Sequence, residues 1–230
     1  MFHLTPRVSF DRLNLKASFL SVANGDVIPF DHAIMSKLST KKLTDQPLAP
    51  LLIPIAAMWI LEIVDLFLGQ RLNAYGIIPR DRRGLIGIPL SPFLHGGFGH
   101  LISNTVPLVV LGGLVLLSST KQFLQVTATI ILLGGLGVWL FAIGRNECHI
   151  GASGLVFGYF GYLVVRGYFE RTIPSLIVAA IVIFMYGGGM LFGMLPVTPG
   201  VSWEGHLFGF LAGAFAARSM AVENFRSKQL

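Results

Sequence analysis

Six long apolar stretches, separated by polar segments, follow one another along the chain from about residue 50 onward. Most are close to the roughly 20 residues that a helix needs to cross the hydrocarbon of a bilayer, and the fourth and sixth are shorter. Inside lipid the backbone N–H and C=O groups must pair within their own segment, so each stretch is predicted to be a helix. The predicted helices are Pro50–Leu68, Leu101–Leu117, Phe123–Ile143, Ile150–Val165, Ile173–Leu195 and His206–Ala217.

The composition excludes a soluble protein and narrows the range of partners. Of the 230 residues, 53% are hydrophobic and 12% are charged, whereas soluble domains carry about 25% charged residues. The net charge of +6 comes from cations at the ends of apolar stretches. That placement is typical of topology signals and of contact with anionic lipid, so the bilayer is a predicted partner and nucleic acid is not. Cys148 is the single cysteine, which excludes an internal disulfide bond.

The chain is predicted to contain one membrane domain with a short segment on either side. Residues 1–48 are polar and mixed, and they are expected to form a cytoplasmic N-terminal segment with a short amphipathic helix near Leu13–Val22. Residues 49–220 are expected to form an all-α bundle of six transmembrane helices, and residues 221–230 a cytoplasmic tail. Charged residues interrupt the first 20 positions, so a signal peptide is not expected there.

The orientation of the bundle follows from the distribution of Lys and Arg, which accumulate on the cytoplasmic side of a membrane. The two sides of the six predicted helices carry 12 and 5 of the 17 cations. The smaller group is Arg71, Arg80, Arg82, Arg83 and Arg145. Both chain ends lie with the larger group, so the N- and C-termini are predicted to be cytoplasmic.

Four polar residues lie at or near the starts of predicted helices that share one face of the membrane. With the N-terminus inside, the second, fourth and sixth helices all begin at the outer face. His100 and Asn104 lie at the start of the second helix, Ser153 of the fourth and His206 of the sixth. These residues are far apart in sequence but are placed at similar depth, which predicts one site near the outer surface.

Ser153 and His206 are predicted to form a nucleophile and its base. A serine hydroxyl is a weak nucleophile until a neighbouring base accepts its proton. Small residues would let the fourth and sixth helices pack closely enough for that contact. These residues are two pairs of glycines: Gly154 and Gly158 in the fourth helix, and Gly209 and Gly213 in the sixth. Gly134 and Gly135 of the third helix are expected to lie away from this contact.

His100 and Asn104 are the predicted donors of an oxyanion hole. Their i, i+4 spacing projects both side chains from one helix face toward a common point. Peptide cleavage needs such donors, which typically contribute about 3–4 kcal/mol each. Each residue alone also has a simpler explanation. A serine in a spanning helix usually bonds back to a carbonyl one turn away, and His100 with Asn104 could form a metal site or a packing pair.

The remaining polar residues are predicted to be structural. Glu62 and Asp65 lie near the outer end of the first helix and are expected to hold the arginine-bearing first loop. Glu204 is expected to point away from His206 and to lie at the interface, because two residues correspond to about 200° around a helix. No His-x-x-x-His spacing indicates a metal site. A packing or interfacial role is expected for the two residues before the serine motif, Cys148 and His149.

Three motifs, in chain order, resemble those of rhomboid intramembrane serine proteases: His100-x-x-x-Asn104, Gly151-x-Ser153-Gly154 and His206-x-x-Gly209-x-x-x-Gly213. The resemblance covers roughly Pro50 to Ala217. It implies that Ser153 and His206 form a catalytic dyad without an acid. It also implies that His100, Asn104 and the Ser153 backbone N–H form the oxyanion hole, and that Phe157 stacks on the catalytic histidine. The Trp-Arg pair in the first loop of some members is absent here.

The resemblance also implies the substrates and their route into the site. Family substrates are transmembrane segments that are cut near the outer surface and enter laterally, past the second and fifth helices. Pro107 and Gly187–Gly189 could soften these two helices, and the loop Pro196–Val201 would cover the site.

We therefore expect an intramembrane serine endopeptidase in the plasma membrane of a bacterium, acting without a cofactor. The alternative is a catalytically silent rhomboid-like protein that binds or escorts transmembrane clients. The presence of both Ser153 and His206 favours the enzyme.

Overall fold

The computed structural model describes residues 21–23, 26–28, 47–144 and 147–226. The chain divides into two units, Met1–Asp45 and Gln46–Leu230. In the first unit, strands β1 (Ser21–Ala23) and β2 (Asp26–Ile28) pair in antiparallel fashion, with Val22 opposite Val27. The last two positions of the helix predicted near Leu13–Val22 belong to β1, and its other positions lie outside the described residues.

The second unit contains six long helices: α1 (Ala49–Phe67), α2 (Phe98–Leu116), α3 (Thr120–Phe141), α4 (Ser153–Glu170), α5 (Ile173–Gly193) and α6 (Trp203–Arg226). A π-helical turn, Ile130–Gly134, lies inside α3. Among the described residues, α1, α2, α3 and α5 are long and apolar enough to cross a membrane. Glycines and charged residues make α4 and α6 less apolar. By length and composition four spans are indicated, where the sequence pattern predicted six.

Helix α4 lies at the centre of the bundle. It is buried without interruption from Val156 to Leu163 and contacts α2, α3, α5 and α6. Because it is surrounded by protein, its polar groups need partners inside the bundle. Helix α3 supplies them: the Tyr159 hydroxyl lies 2.7 Å from the Thr127 hydroxyl, and the Gln122 amide donates to the Tyr162 hydroxyl over 2.5 Å.

The contact between α4 and α6 brings their backbones together. A Cβ atom placed on Gly209 would overlap the Gly154 carbonyl oxygen, and one placed on Gly213 would overlap the Gly158 carbonyl oxygen. The absence of side chains at positions 209 and 213 therefore sets the distance between the two helices. The four glycines are brought together as the sequence pattern predicted.

The third helix also takes part in this packing, so the expectation that Gly134 and Gly135 lie apart from it was wrong for Gly134. A Cβ atom on Gly134 would lie 3.4 Å from the Gly209 Cα atom. Farther along α3, a Cβ atom on Gly137 would lie 2.6 Å from Phe208 Cδ1 of α6. Glycines of α3 thus face α6, because α6 packs against both α3 and α4, which sequence periodicity alone did not reveal.

The first loop, residues 68–97, is held near its start and again at Ile77 and Arg80. The Asp65 carboxylate of α1 accepts the Leu72 backbone N–H at 2.8 Å. Backbone N–H groups of Ile77 and His149 donate to each other's carbonyls, both at 2.9 Å. The Arg80 guanidinium donates to the Ala142 carbonyl over 2.7 Å. Asp65 thus holds the loop through its backbone, and in the described part of the chain neither Asp65 nor Glu62 forms an ion pair.

Substituting Gly213 with alanine tests the α4–α6 contact. The new methyl group would overlap the Gly158 carbonyl, and backbone cannot yield as a side chain can, so we expect a loss of about 3 kcal/mol or more. Gly113→Ala in α2 is the matched control, because nothing lies within 4 Å of a Cβ atom there. Thermal unfolding in detergent measures both variants. Equal stability of the two would contradict the close contact.

Candidate active site

A cavity of about 760 Å³ opens between α2, α4, α5 and α6. The loop before α6 also contributes to its wall through Gly200 and Val201, and the helices contribute Pro107 of α2 and Gly189 of α5. The predicted functional side chains all line this one cavity: His100, Asn104, Ser153, Phe157 and His206.

Ser153 is the first residue of α4, so the helix begins three residues later than the predicted start at Ile150. Gly151 explains the difference, because its φ of +109° is incompatible with a right-handed helix. The first backbone N–H groups of a helix have no partner within it, and the helix dipole is positive there. The Ser153 hydroxyl and backbone N–H therefore lie where negative charge is stabilised.

The His206 imidazole is held on two sides. Its ring stacks on the Phe157 ring, with centroids 3.9 Å apart and planes 6° from parallel. Its Nδ1 lies 2.7 Å from the Gly193 carbonyl oxygen. A carbonyl only accepts, so Nδ1 carries the proton, and Nε2 of the neutral ring is left as an acceptor. A side chain at Gly193 would not fit, because its Cβ atom would lie 2.6 Å from Phe157 Cζ.

Ser153 and His206 line the same cavity. Among the hydrogen bonds of the described residues, none joins the Ser153 hydroxyl to the His206 imidazole. Catalytic hydrogen bonds are often long without substrate and shorten in the reacting complex. The structure thus brings the two residues into one site, without a recorded hydrogen bond between their side chains.

His100 and Asn104 converge on the loop that precedes Ser153. A Cβ atom on Gly151 would lie 2.7 Å from His100 Nε2 and 3.4 Å from Asn104 Nδ2, so both nitrogens surround one point. Gly96 N–H donates to His100 Nδ1 over 3.4 Å, which leaves the ring proton on Nε2. The Asn104 Nδ2 group is buried and has no partner among the described residues. A buried, unpaired donor is costly and needs an explanation.

His95 is a site residue that the sequence analysis missed. Its ring is 1% exposed and stands edge-on to the His100 ring, with centroids 5.1 Å apart. Its Nε2 accepts the Ala152 N–H over 3.3 Å, next to Ser153. Burial, with a smaller contribution from His100, lowers the pKa of His95 to about 4, so the ring is neutral at pH 7. The signal in the sequence was a second histidine five residues before His100, in a stretch that contains no Asp, Glu, Lys or Arg.

Glu204 is buried, so its predicted interfacial position was wrong. It is 4% exposed, and its carboxylate accepts the Ile143 backbone N–H over 3.1 Å. The carboxylate therefore joins the first turn of α6 to the segment that follows α3. Among the described residues there is no group of three or more His, Cys, Asp or Glu side chains that could hold a metal ion.

Comparisons with known proteins show which family and which relatives this chain is similar to. The family model described as the Rhomboid domain matches residues 82–222. An uncharacterized protein of Mycobacterium tuberculosis is 40% identical over 183 residues, which is 76% of each chain. An uncharacterized protein of Mycobacterium leprae is 36% identical over 184 residues, covering 76% of this chain and 72% of the relative. A protein of Arabidopsis thaliana named RHOMBOID-like protein 4 is 32% identical over 122 residues, or 53% of this chain and 30% of the relative.

The buried neutral His95 predicts an acid-sensitive fold. Its pKa of about 4 in the folded protein lies below the ordinary value of 6.5. The unfolded chain therefore binds more protons, and stability is lost as the pH falls from about 6.5 toward 4. At pH 5 the loss from this residue is about 2 kcal/mol.

His95→Gln isolates this contribution, because the Gln oxygen can still accept from Ala152 N–H but does not titrate. Thermal unfolding at pH 7.5 and pH 5 should show a smaller pH effect for this variant than for the wild type. Parallel pH dependence of the two proteins would show that His95 is not the titrating group.

Proposed function

We propose that this chain, which belongs to the rhomboid family, is an intramembrane serine endopeptidase that hydrolyses peptide bonds of transmembrane substrates. The proposal rests above all on the His206 imidazole, whose bond to the Gly193 carbonyl leaves Nε2 free as an acceptor in the cavity that Ser153 lines. A neutral acceptor beside a serine at a helix N-terminus is the arrangement that nucleophilic catalysis requires.

Ser153 is the proposed nucleophile and His206 the general base. As the Ser153 oxygen attacks the substrate carbonyl carbon, its proton passes to His206 Nε2. The imidazolium that forms remains bonded to the Gly193 carbonyl and stacked on Phe157, so both contacts stabilise its charge. These two contacts replace the acid of a triad in orienting the ring.

The tetrahedral intermediate carries a negative oxygen that needs donors. His100 Nε2, Asn104 Nδ2 and the Ser153 backbone N–H are the proposed donors. The unpaired Asn104 amide supports this role, because a donor without a partner in the resting protein is free to stabilise charge that appears only during the reaction. The free-energy cost of leaving the Asn104 amide unpaired in the resting protein is offset when the amide binds the negative oxygen in the transition state.

Collapse of the intermediate completes the first half of the reaction. The C–N bond breaks, and His206 returns its proton to the leaving amine. The acyl group stays on the Ser153 oxygen as an ester. Water then attacks this ester while His206 accepts a proton from the water. The acyl–oxygen bond breaks, His206 passes that proton to the Ser153 oxygen, and the product acid leaves, which restores the free serine and the neutral base.

The proposed topology has six spanning helices, with both termini in the cytoplasm and cleavage near the outer face of the cell membrane. The shorter apolar lengths of α4 and α6 are compatible with spanning. Helix α4 is buried in the bundle from Val156 to Leu163, and α6 exposes apolar side chains, Leu211 and Phe215, that can face lipid. Pro107 of α2 and Gly189 of α5 line the cavity, which supports substrate entry between these two helices.

Replacing Ser153 or His206 with alanine tests the dyad. Each variant should lose cleavage of a transmembrane substrate that contains helix-destabilising residues, while remaining folded in detergent. The two residues act as one unit, so the double variant should be no slower than either single one. A Ser153→Ala variant with near-wild-type turnover, or binding of substrate by the wild type without cleavage, would favour a client-binding protein instead.

Asn104→Ala tests the oxyanion hole. Turnover should fall roughly 10²–10³-fold with little change in KM, because the donor acts mainly in the transition state. Thr105→Ala is the neighbouring control: its hydroxyl bonds the Leu101 carbonyl at 2.7 Å, on the side of Trp59, and should not affect turnover. A change in KM alone would assign Asn104 to substrate binding.

A further inference from the structure

His149 connects the segment that carries Ser153 to the helix that carries His206. It lies four residues before Ser153, and its backbone is paired with Ile77 of the first loop. Its side chain is 6% exposed, and its Nδ1 lies 2.6 Å from the Ser202 hydroxyl. Ser202 in turn lies four residues before His206.

Ser202 caps the first turn of α6. Its hydroxyl accepts the Gly205 N–H over 3.2 Å, and its carbonyl accepts the His206 N–H over 3.2 Å. A side chain on Gly205 would crowd this cap, since its Cβ atom would lie 2.7 Å from the Ser202 hydroxyl oxygen. The His149 ring therefore touches the group that sets where α6 begins, one turn before the proposed base.

We propose that His149 is a positioning residue, whose hydrogen bond to Ser202 fixes the start of α6 so that His206 faces Ser153. This inference rests on the proposed function, since it concerns the alignment of the same two residues. The bond matters for this alignment because Ser153 and His206 are not joined directly among the described hydrogen bonds, and because Gly200, Val201 and Ser202, just before α6, line the same cavity.

The cap is compatible with Ser202 as the donor of this bond. The Ser202 oxygen accepts from Gly205 N–H, and its own proton can be donated to His149 Nδ1 when the ring proton lies on Nε2. That Nε2 atom is buried and has no partner among the described residues. Donation from Ser202 requires a neutral imidazole. Burial lowers the pKa of His149, and the opposing effects of the two facing carboxylates, Glu204 of α6 and Glu147 of its own segment, are smaller. The lowered pKa favours the neutral ring, which can accept this bond at Nδ1.

Four variants separate positioning from simple capping. His149→Ala removes the bond, and His149→Asn retains a polar group near the position of Nδ1. Ser202→Ala removes both the bond and the cap. Ser119→Ala is the matched control, because the Ser119 hydroxyl caps α3 by accepting Gln122 N–H over 3.1 Å, and α3 carries no proposed catalytic residue.

Steady-state cleavage of a transmembrane substrate by the purified full-length protein is the first measurement. His149→Ala and Ser202→Ala should each lower kcat by roughly 10²-fold with KM nearly unchanged, as expected for a displacement of about 1 Å. The double variant should be no slower than the singles. His149→Asn should recover most of the loss, and Ser119→Ala should retain wild-type kcat. A change confined to KM, or an equal loss in Ser119→Ala, would overturn the inference.

Hydrogen–deuterium exchange of residues 199–210 is the second measurement, and it needs no catalysis. His149→Ala should speed exchange there while the other helices stay protected. If the wild type cleaves and His149→Ala changes neither exchange nor kcat, or only one of them, the positioning role is wrong. If the wild type cleaves nothing but His149→Ala still speeds exchange, the contact holds α6 as inferred and the proposed function is wrong.

Discussion

The site depends on the close contact between α4 and α6. Helices in lipid gain little from the hydrophobic effect when they meet, so close backbone packing must supply much of the attraction. Here the Gly154 and Gly158 carbonyls occupy the space that side chains would need at Gly209 and Gly213. That contact places the N-terminal ends of the two helices side by side, and Ser153 and His206 are at those ends.

The polar groups around the cavity are fixed by neighbours that do not themselves react. Gly193 and Phe157 hold the His206 ring, and His95 holds the N–H beside Ser153. The Asn104 amide, by contrast, is buried without a partner among the described residues, and so are His95 Nδ1 and His149 Nε2. An unused donor such as the Asn104 amide, held among fixed neighbours, suits a preorganised site, because its groups need not reorganise when charge develops.

The sequence pattern was sufficient to predict the six long helices and to identify the family, and the rhomboid resemblance is confirmed. Its errors have physical causes. Helix α4 was predicted to begin at Ile150, because an apolar run does not reveal that Gly151 adopts a positive φ. Glu204 was placed at the interface by its angle around α6, but the segment after α3 covers it and supplies a backbone N–H. Gly134 was set apart from α6, because periodicity does not say which helices are neighbours.

The order of residues alone indicates that the protein belongs in a membrane, roughly where its long helices lie, and which polar residues lie near helix starts. These conclusions follow from local physics: apolar length, backbone pairing within a segment, and the rarity of polar groups in lipid. The bond from His206 to the Gly193 carbonyl, the contact of His95 with His100 and the bond between His149 and Ser202 are visible only in the folded protein. Such contacts join residues from separate helices and loops, and helix packing, which no local pattern encodes, brings them within hydrogen-bonding distance.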